Sequence, residues 1–453
     1  MQNSNSNNMK RIEITKVFTE ANTIYYEVRE ERGLGLLQHE VVNLFIRHHG
    51  DEHFKFNFDE LPMSILLLPI SLYLLPITYF YEVELVIPEM DKELYNRLPT
   101  IYEAYSKIYG PFKQGWLGKV NVGKIVENSL VEKSRYDQVV FYSGGVDACH
   151  AGINYPGKRS LLVSIPDIEC MAKNDGPLRE EKFTLIKSFS NVVNSDWLLI
   201  SNNFNASLFR DKEINQYLLT EIGLCSSAYL FDGWAGIKYL ANMCCVAPVA
   251  YLWGIKSLIM GSAFEQIENR LQYNEDGASP ELSDSLGFAG ITFAEQEGLM
   301  IRRTKKVKNI IEWCKKHNEK TKIWVCFNDD STQCGFCGKC IRTQLNILCA
   351  GENPKNWGFA NFSEKELTTY VKEYRYREFG PCWLWDNVES IEDGKIYPYC
   401  NDLLHWLKKI GYKKYHMRAE KQAKWEFLKQ RLLSFRRYPH YVKVLFLKFI
   451  KNQ

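Results

Sequence analysis

The chain has 453 residues, 45% of them apolar and 25% charged, with a formal net charge of +3. That length accommodates two or three domains with sizeable cores, and the ordinary composition excludes a disordered or fibrous chain. A charge so near balance does not by itself argue for a nucleic-acid partner.

Met1–Met9 are rich in Asn and Ser and carry no apolar leader, so a cytoplasmic location is expected. Alternation over Thr23–Val28 predicts a strand. Met63–Tyr81 is almost wholly apolar, at the border of the roughly 20 residues that a spanning helix needs. Pro69 and Pro76 interrupt it and Glu82 and Glu84 follow directly, so buried core elements are expected and no transmembrane segment. A strand over Tyr81–Ile87 and a helix from Asp91 to about Tyr109 come next. Asp91 is placed to cap that helix, because a carboxylate accepts the orphan N–H groups of a first turn. Residues 1–135 read as an N-terminal α+β domain.

Residues 136–350 alternate compact apolar runs with helical text. Gln138–Tyr142, Ser160–Ile165, Trp197–Ser201 and Ser257–Gly261 are the strand candidates. The rhythm predicts an α/β fold, a parallel sheet with helices on both faces. Residues 351–453 read as a basic helical region. From Lys408 onward there are fourteen Lys and Arg residues against two acids. A solvated basic face is the plain expectation there, with RNA, an acidic protein or an anionic membrane surface as the alternatives.

Two motifs carry chemistry. The strand at Gln138–Tyr142 runs into Ser143-Gly144-Gly145-Val146-Asp147-Ala148. A strand, a glycine turn and a helix start make an anion site, since glycines let backbone N–H groups approach phosphate oxygens and the helix end adds its dipole. Ser143 can donate a hydroxyl hydrogen bond, and Asp147 can hold Mg²⁺ or orient the loop. No GxxxxGK[ST] sequence is present, which disfavours a Walker-type site.

The second motif lies among thirteen cysteines. Cys326, Cys334, Cys337 and Cys340 are spaced C-x7-C-x2-C-x2-C. Four thiolates at such spacing close a tetrahedron around Zn²⁺ and leave no open position, so the expected role is structural. Reduced core cysteines and an iron–sulfur cluster are the rival readings.

The loop resembles the SGGxD[ST] loop of the PP-loop ATP pyrophosphatases, whose fold is HUP-like. Ala148 stands where that family has Ser or Thr, which removes one hydroxyl from the helix start. The loop and the cysteines together, about 180 residues apart, resemble the 7-cyano-7-deazaguanine synthase family. The resemblance covers roughly 136–351 and includes Arg342 shortly after the last cysteine. It implies ATP, Mg²⁺ and Zn²⁺ as cofactors. It also implies nucleotide contacts from Ser143, Gly144, Gly145, Val146 and Asp147, from Asp167 and Asn203 after the second and third strands, and from Gly261 and Ser262. Arg303 and Lys306 fall in a pattern like the family's R-x-x-K and are expected to act on triphosphate or leaving pyrophosphate. Tyr273–Ser285 reads as a polar loop, either a substrate lid presenting Asp284 and Ser285 or an ordinary surface loop.

The implied activity is an ATP-dependent C–N ligase that adenylates a small-molecule carboxylate for attack by ammonia or an amine. The added N- and C-terminal regions point to a larger relative working in a specialised pathway or defence system. A PP-loop sulfur transferase acting on tRNA and a non-catalytic ATP-binding subunit are the alternatives. The oligomeric state, homodimer included, stays open.

Overall fold

A computed structural model describes residues 9–51, 53–109, 117–130, 134–166, 180–218, 238–263, 265–267, 270–272, 279–326, 333–373, 387–388, 397–411, 413–415, 417–418, 421 and 425. These divide into two compact units. The first takes in residues up to Ile301 together with Asn309–Trp324, and the second Arg302–Lys308 and Val325 onward.

The first unit is built on one eleven-stranded sheet. Its strands are β1 (Lys10–Glu20), β2 (Thr23–Glu30), β3 (Val41–Gly50), β4 (Val83–Asp91), β5 (Lys119–Val126), β6 (Gln138–Phe141), β7 (Ser160–Ser164), β8 (Asp196–Asn202), β9 (Ser257–Gly261), β12 (Gly287–Phe288) and β13 (Ile291–Glu297). A two-stranded ribbon, β10 (Glu265–Ile267) with β11 (Arg270–Gln272), stands apart from it. Across the sheet the order is β12-β13-β9-β6-β7-β8-β3-β2-β1-β4-β5. Strands β8, β7, β6, β9 and β13 are all parallel. The five residues of β7 are all buried. Such continuous apolar text is what a strand covered on both faces requires.

The expected N-terminal domain is part of this same sheet. β3 pairs antiparallel with β8, His48 opposite Ile200, and β2, β1, β4 and β5 extend the sheet from there. The pairing gives the edge of β8 a backbone partner, and β3 alternates exposed and buried positions as a strand covered on one face does. No boundary between compact units falls at residue 135.

The apolar stretch folds as two helices, α1 (Met63–Leu66) and α2 (Leu68–Phe80). All thirteen residues of α2 are buried, as a helix apolar on every side must be. Pro69 sits in its first turn, where no N–H is missed, and the helix continues through Pro76. No helix among the described residues is long and apolar enough to cross a membrane. α3 (Lys92–Tyr109) begins where expected, with the buried Asp91 Oδ1 accepting from Leu94 N at 3.1 Å. Next along the chain come α4 (Val146–Asn154), α5 (Glu180–Val193), α6 (Phe204–Ser207), α7 (Asp211–Tyr217), α8 (Tyr239–Met243) and α9 (Ala247–Leu252).

In the second unit, α12 (Gly338–Cys349), α13 (Glu364–Lys372) and α14 (Asn401–Ile410) share a core. Ile341, Leu345 and Leu348 pack with Leu367, Val371, Leu403, Leu404, Leu407 and Tyr415. Of these three, α13 and α14 fall within residues 351–453.

Candidate functional site

The parallel strands occur along the chain in the order β6, β7, β8, β9, β13, while across the sheet β6 lies between β7 and β9. The winding therefore reverses direction at the β6–β9 junction. Ligands of open α/β sheets bind outside the carboxyl ends of the strands at such a switch point. Both lips of that crevice come from sequence-predicted site residues. β6 ends at Phe141 and leads to Ser143–Asp147, and β9 ends at Gly261.

The glycines are there for identifiable reasons. Gly144 has φ +89°, a left-handed conformation that other residues rarely adopt. Its carbonyl accepts from Trp324 N at 2.7 Å, and a Cβ at this position would meet Leu185 and Trp324. Gly145 is the N-cap of α4 (Val146–Asn154). Ser143 is exposed, and its Oγ lies 3.4 Å from Gly145 N. Gly261 lies so close to the Asp147 carbonyl that any Cβ would be inside van der Waals distance of it. The loop and the end of β9 are thus in backbone contact. As at any helix start, the first N–H groups of α4 have no intrahelical acceptors. Asp147, half-buried in the first turn, offers a hard oxygen ligand of the kind Mg²⁺ takes. Ser262 is buried and donates its N–H to Glu297 O at 2.9 Å.

Behind the loop lies a polar cluster that sequence reading missed. His150, on α4, places Nδ1 2.7 Å from Glu297 Oε2 at the end of β13. Asn154, one turn on, donates to Glu297 Oε1 at 2.7 Å. Asn309 Nδ2 sits 3.0 Å from His150 Nε2, on α11 (Arg303–His317). His150 falls three residues after Asp147, a helical spacing that was open to view. Glu297 is distant in sequence and gave no such signal. Cys149 is buried, and burial first of all drives its thiol upward, so it is no nucleophile.

Other predicted residues have different places. Asn203 accepts from Phe45 N at 2.9 Å and donates to Asn43 O at 3.2 Å. Its amide stitches the β3–β8 seam, a role imposed because β3 joins the sheet there. Asp167 lies outside the described residues. Arg303 and the buried Lys306 belong to the second unit, at the start of α11. Within Tyr273–Ser285, residues 273–278 lie outside the described residues. Pro280–Ser285 is a helix, α10, rather than a loop. Ser285 Oγ donates to Leu282 O at 2.7 Å, so its hydroxyl closes its own helix. Asp284 is exposed, and its carboxyl is raised by desolvation and by Glu281.

The four cysteines of the second unit come together. Their sulfurs all lie within 4.8 Å of one another, and those of Cys334 and Cys340 are 3.9 Å apart. A tetrahedron with Zn–S near 2.3 Å has edges of about 3.8 Å. A multi-iron cluster would have to spread the same sulfurs around several metals, so the spacing fits a single ion. Backbone N–H groups of Cys334 and Cys337 point at Cys326 Sγ and Cys334 Sγ, each at 3.3 Å. Gly335, at φ +78°, turns the chain between ligands, and Gln344 Nε2 holds its carbonyl at 2.8 Å. Without a cation, the hydrogen bond with Cys326 first and then that with Cys337 push the Cys340 thiol strongly up. Four sulfurs this close do not ionise together unless a positive charge joins them. The cluster can therefore hold a metal ion such as zinc.

No protein-family model, curated protein or solved structure matches the chain.

Proposed function

We propose that the chain is an ATP-using ligase that activates a substrate carboxylate as its adenylate for attack by ammonia or an amine. The observation that carries this reading is the placement of Ser143–Asp147. The strand–glycine–helix loop lies at the switch point of a parallel sheet, in backbone contact with the end of β9. That arrangement suits a polyphosphate.

In the proposed reaction the substrate carboxylate oxygen attacks the α-phosphorus. The bond from that phosphorus to the bridging oxygen breaks, and pyrophosphate leaves with the electron pair. The nitrogen nucleophile then adds to the acyl carbon, loses a proton, and AMP departs. The chain's own contribution is positioning and charge stabilisation. The amides at the start of α4 and the Ser143 hydroxyl hold phosphate oxygens, and Gly144 keeps the loop turned toward them. Mg²⁺ held by Asp147 would neutralise phosphate charge. The four-cysteine centre has no part in the chemistry. It would carry Zn²⁺ as a structural ion with all four positions filled. The loop, the cysteine spacing and the added terminal regions together support a larger relative of the 7-cyano-7-deazaguanine synthases.

The test is an ATP-product assay on zinc-loaded protein with 7-carboxy-7-deazaguanine and ammonium, resolving AMP from ADP. Substrate-dependent AMP and pyrophosphate, lost in Asp147→Ala, are the expected result. Folded, metal-loaded protein that leaves ATP intact with this acid, yet thiolates tRNA, would overturn the ligase reading.

A further inference from the structure

We infer that Glu297 is a positioning residue that sets the two lips of the phosphate crevice against each other. This rests on the reading of Ser143–Asp147 as a phosphate loop.

The geometry is specific to this one residue. Its side chain grips α4 at two successive turns, through His150 at 2.7 Å and Asn154 at 2.7 Å. Its backbone carbonyl holds Ser262 N at 2.9 Å, just past the end of β9. In the sheet it stands opposite Gly261 across the β13–β9 ladder. The helix that starts at the loop and the strand end that faces the loop therefore share one anchor. Gly261 allows the Asp147 backbone to approach, and Glu297 fixes how far along the helix that approach occurs.

Chemistry explains why the anchor is polar. α4 could rest on β9 and β13 through apolar side chains alone, and burying a carboxyl group instead is costly unless its oxygens are bonded. What the polar contacts add is direction. An apolar contact tolerates sliding, whereas two hydrogen bonds to opposite oxygens of one carboxyl group fix helix rotation and translation together. Asn309 Nδ2 sits 3.0 Å from His150 Nε2 while Glu297 Oε2 sits 2.7 Å from Nδ1, so both ring nitrogens are engaged. Ring orientation is thereby set from both sides. A rotation of α4 by a fraction of a turn would swing the Val146, Asp147 and Ala148 amides away from a phosphate, and orientation errors of that size cost affinity steeply.

The experiment uses the zinc-loaded full chain with Glu297→Leu and Glu297→Gln. Amide exchange is read by mass spectrometry and Mg·ATP affinity by calorimetry. In Glu297→Leu, exchange should rise at residues 145–150 and at Ser262 while β6, β7 and β8 keep their protection, and the Kd for Mg·ATP should rise about tenfold. Glu297→Gln should recover most of both. Its amide oxygen can accept from His150, and Asn154 can flip to present its own oxygen to the new N–H group. Unchanged exchange at 145–150 in the Leu variant overturns the inference. So does a rise spread evenly over the whole sheet, which would mark a merely structural group. If the wild-type protein binds no ATP, the nucleotide reading fails, and the exchange comparison still decides whether Glu297 sets the loop.

Discussion

His48 shows how one buried side chain ties stability to pH. It sits in β3 with its ring 4.8 Å from Phe58, and Nδ1 lies 3.2 Å from Asn22 O. Burial, only partly opposed by that carbonyl, lowers its pKa from 6.5 to about 3. The folded protein therefore keeps the ring neutral where the unfolded chain protonates it. Between pH 6.5 and about 3 the unfolded state binds the extra proton, so stability falls as pH falls through that window. The slope approaches about 1.4 kcal/mol per pH unit. His48→Phe keeps an aromatic ring of similar shape and removes the titration. The Asn22 carbonyl still receives the backbone N–H of residue 48 at 3.0 Å. Urea midpoints across this range should fall more shallowly in the variant than in the wild type. Parallel slopes would mean that other groups, carboxylates foremost, carry the acid sensitivity.

At the scale of elements, Asp91 tests how far a cap read from sequence extends. The expected bond is present, from Leu94 N to Asp91 Oδ1 at 3.1 Å. The same oxygen also accepts from Ala289 N at 3.0 Å, and Oδ2 accepts from Asn128 at 2.9 Å. Asp91→Ala should therefore cost more than an isolated cap. Losing a cap removes ~1 kcal/mol, and leaving a buried N–H unpaired adds ~1–3 kcal/mol. Asp91→Asn keeps an oxygen for the two backbone donors and should cost less. A urea titration of both variants, with the two losses equal and near the cap value alone, would reduce Asp91 to a helix cap. The contrast marks the limit of sequence reading. Strand candidates β6, β7, β8 and β9, helix α3 and the cysteine cluster were legible, because periodicity, caps and short ligand spacing are local. The β3–β8 seam, the reach of Asp91 to Ala289 and the Glu297 anchor were not, because each joins residues far apart in the chain through backbone geometry. The contacts of Asn203 belong with them. Its position after a strand end matched the family pattern, but an unforeseen neighbouring strand claims its amide.

For the whole molecule, the question is what the metal holds together. The large apolar cluster of the first unit draws its members from residues before Ile301, and the cluster of the second unit from Ile341 onward. Each unit thus has its own core. The second is small, and the helix that supplies its Ile341, Leu345 and Leu348 begins inside the cysteine knuckle, with Cys337 as its N-cap and Cys340 in its first turn. A bound ion should contribute a large share of that unit's stability, since structural zinc in small modules supplies roughly 10–16 kcal/mol of apparent binding energy. Stripping it leaves the Cys340 thiol pushed up, protonated, and poor as an acceptor for the knuckle. Metal analysis should find one zinc per chain. Treatment with a chelator strong enough to remove it should strip exchange protection from α12, α13 and α14, while β6, β7, β8 and β9 stay protected on the strength of their own core. Cys340→Ser should act like the chelator without it. If the chelated protein keeps α12 protected, the cluster is an ornament of a core that stands without it. If β6–β9 open first, the phosphate crevice depends on the metal, and zinc content would have to be matched in every comparison of nucleotide binding.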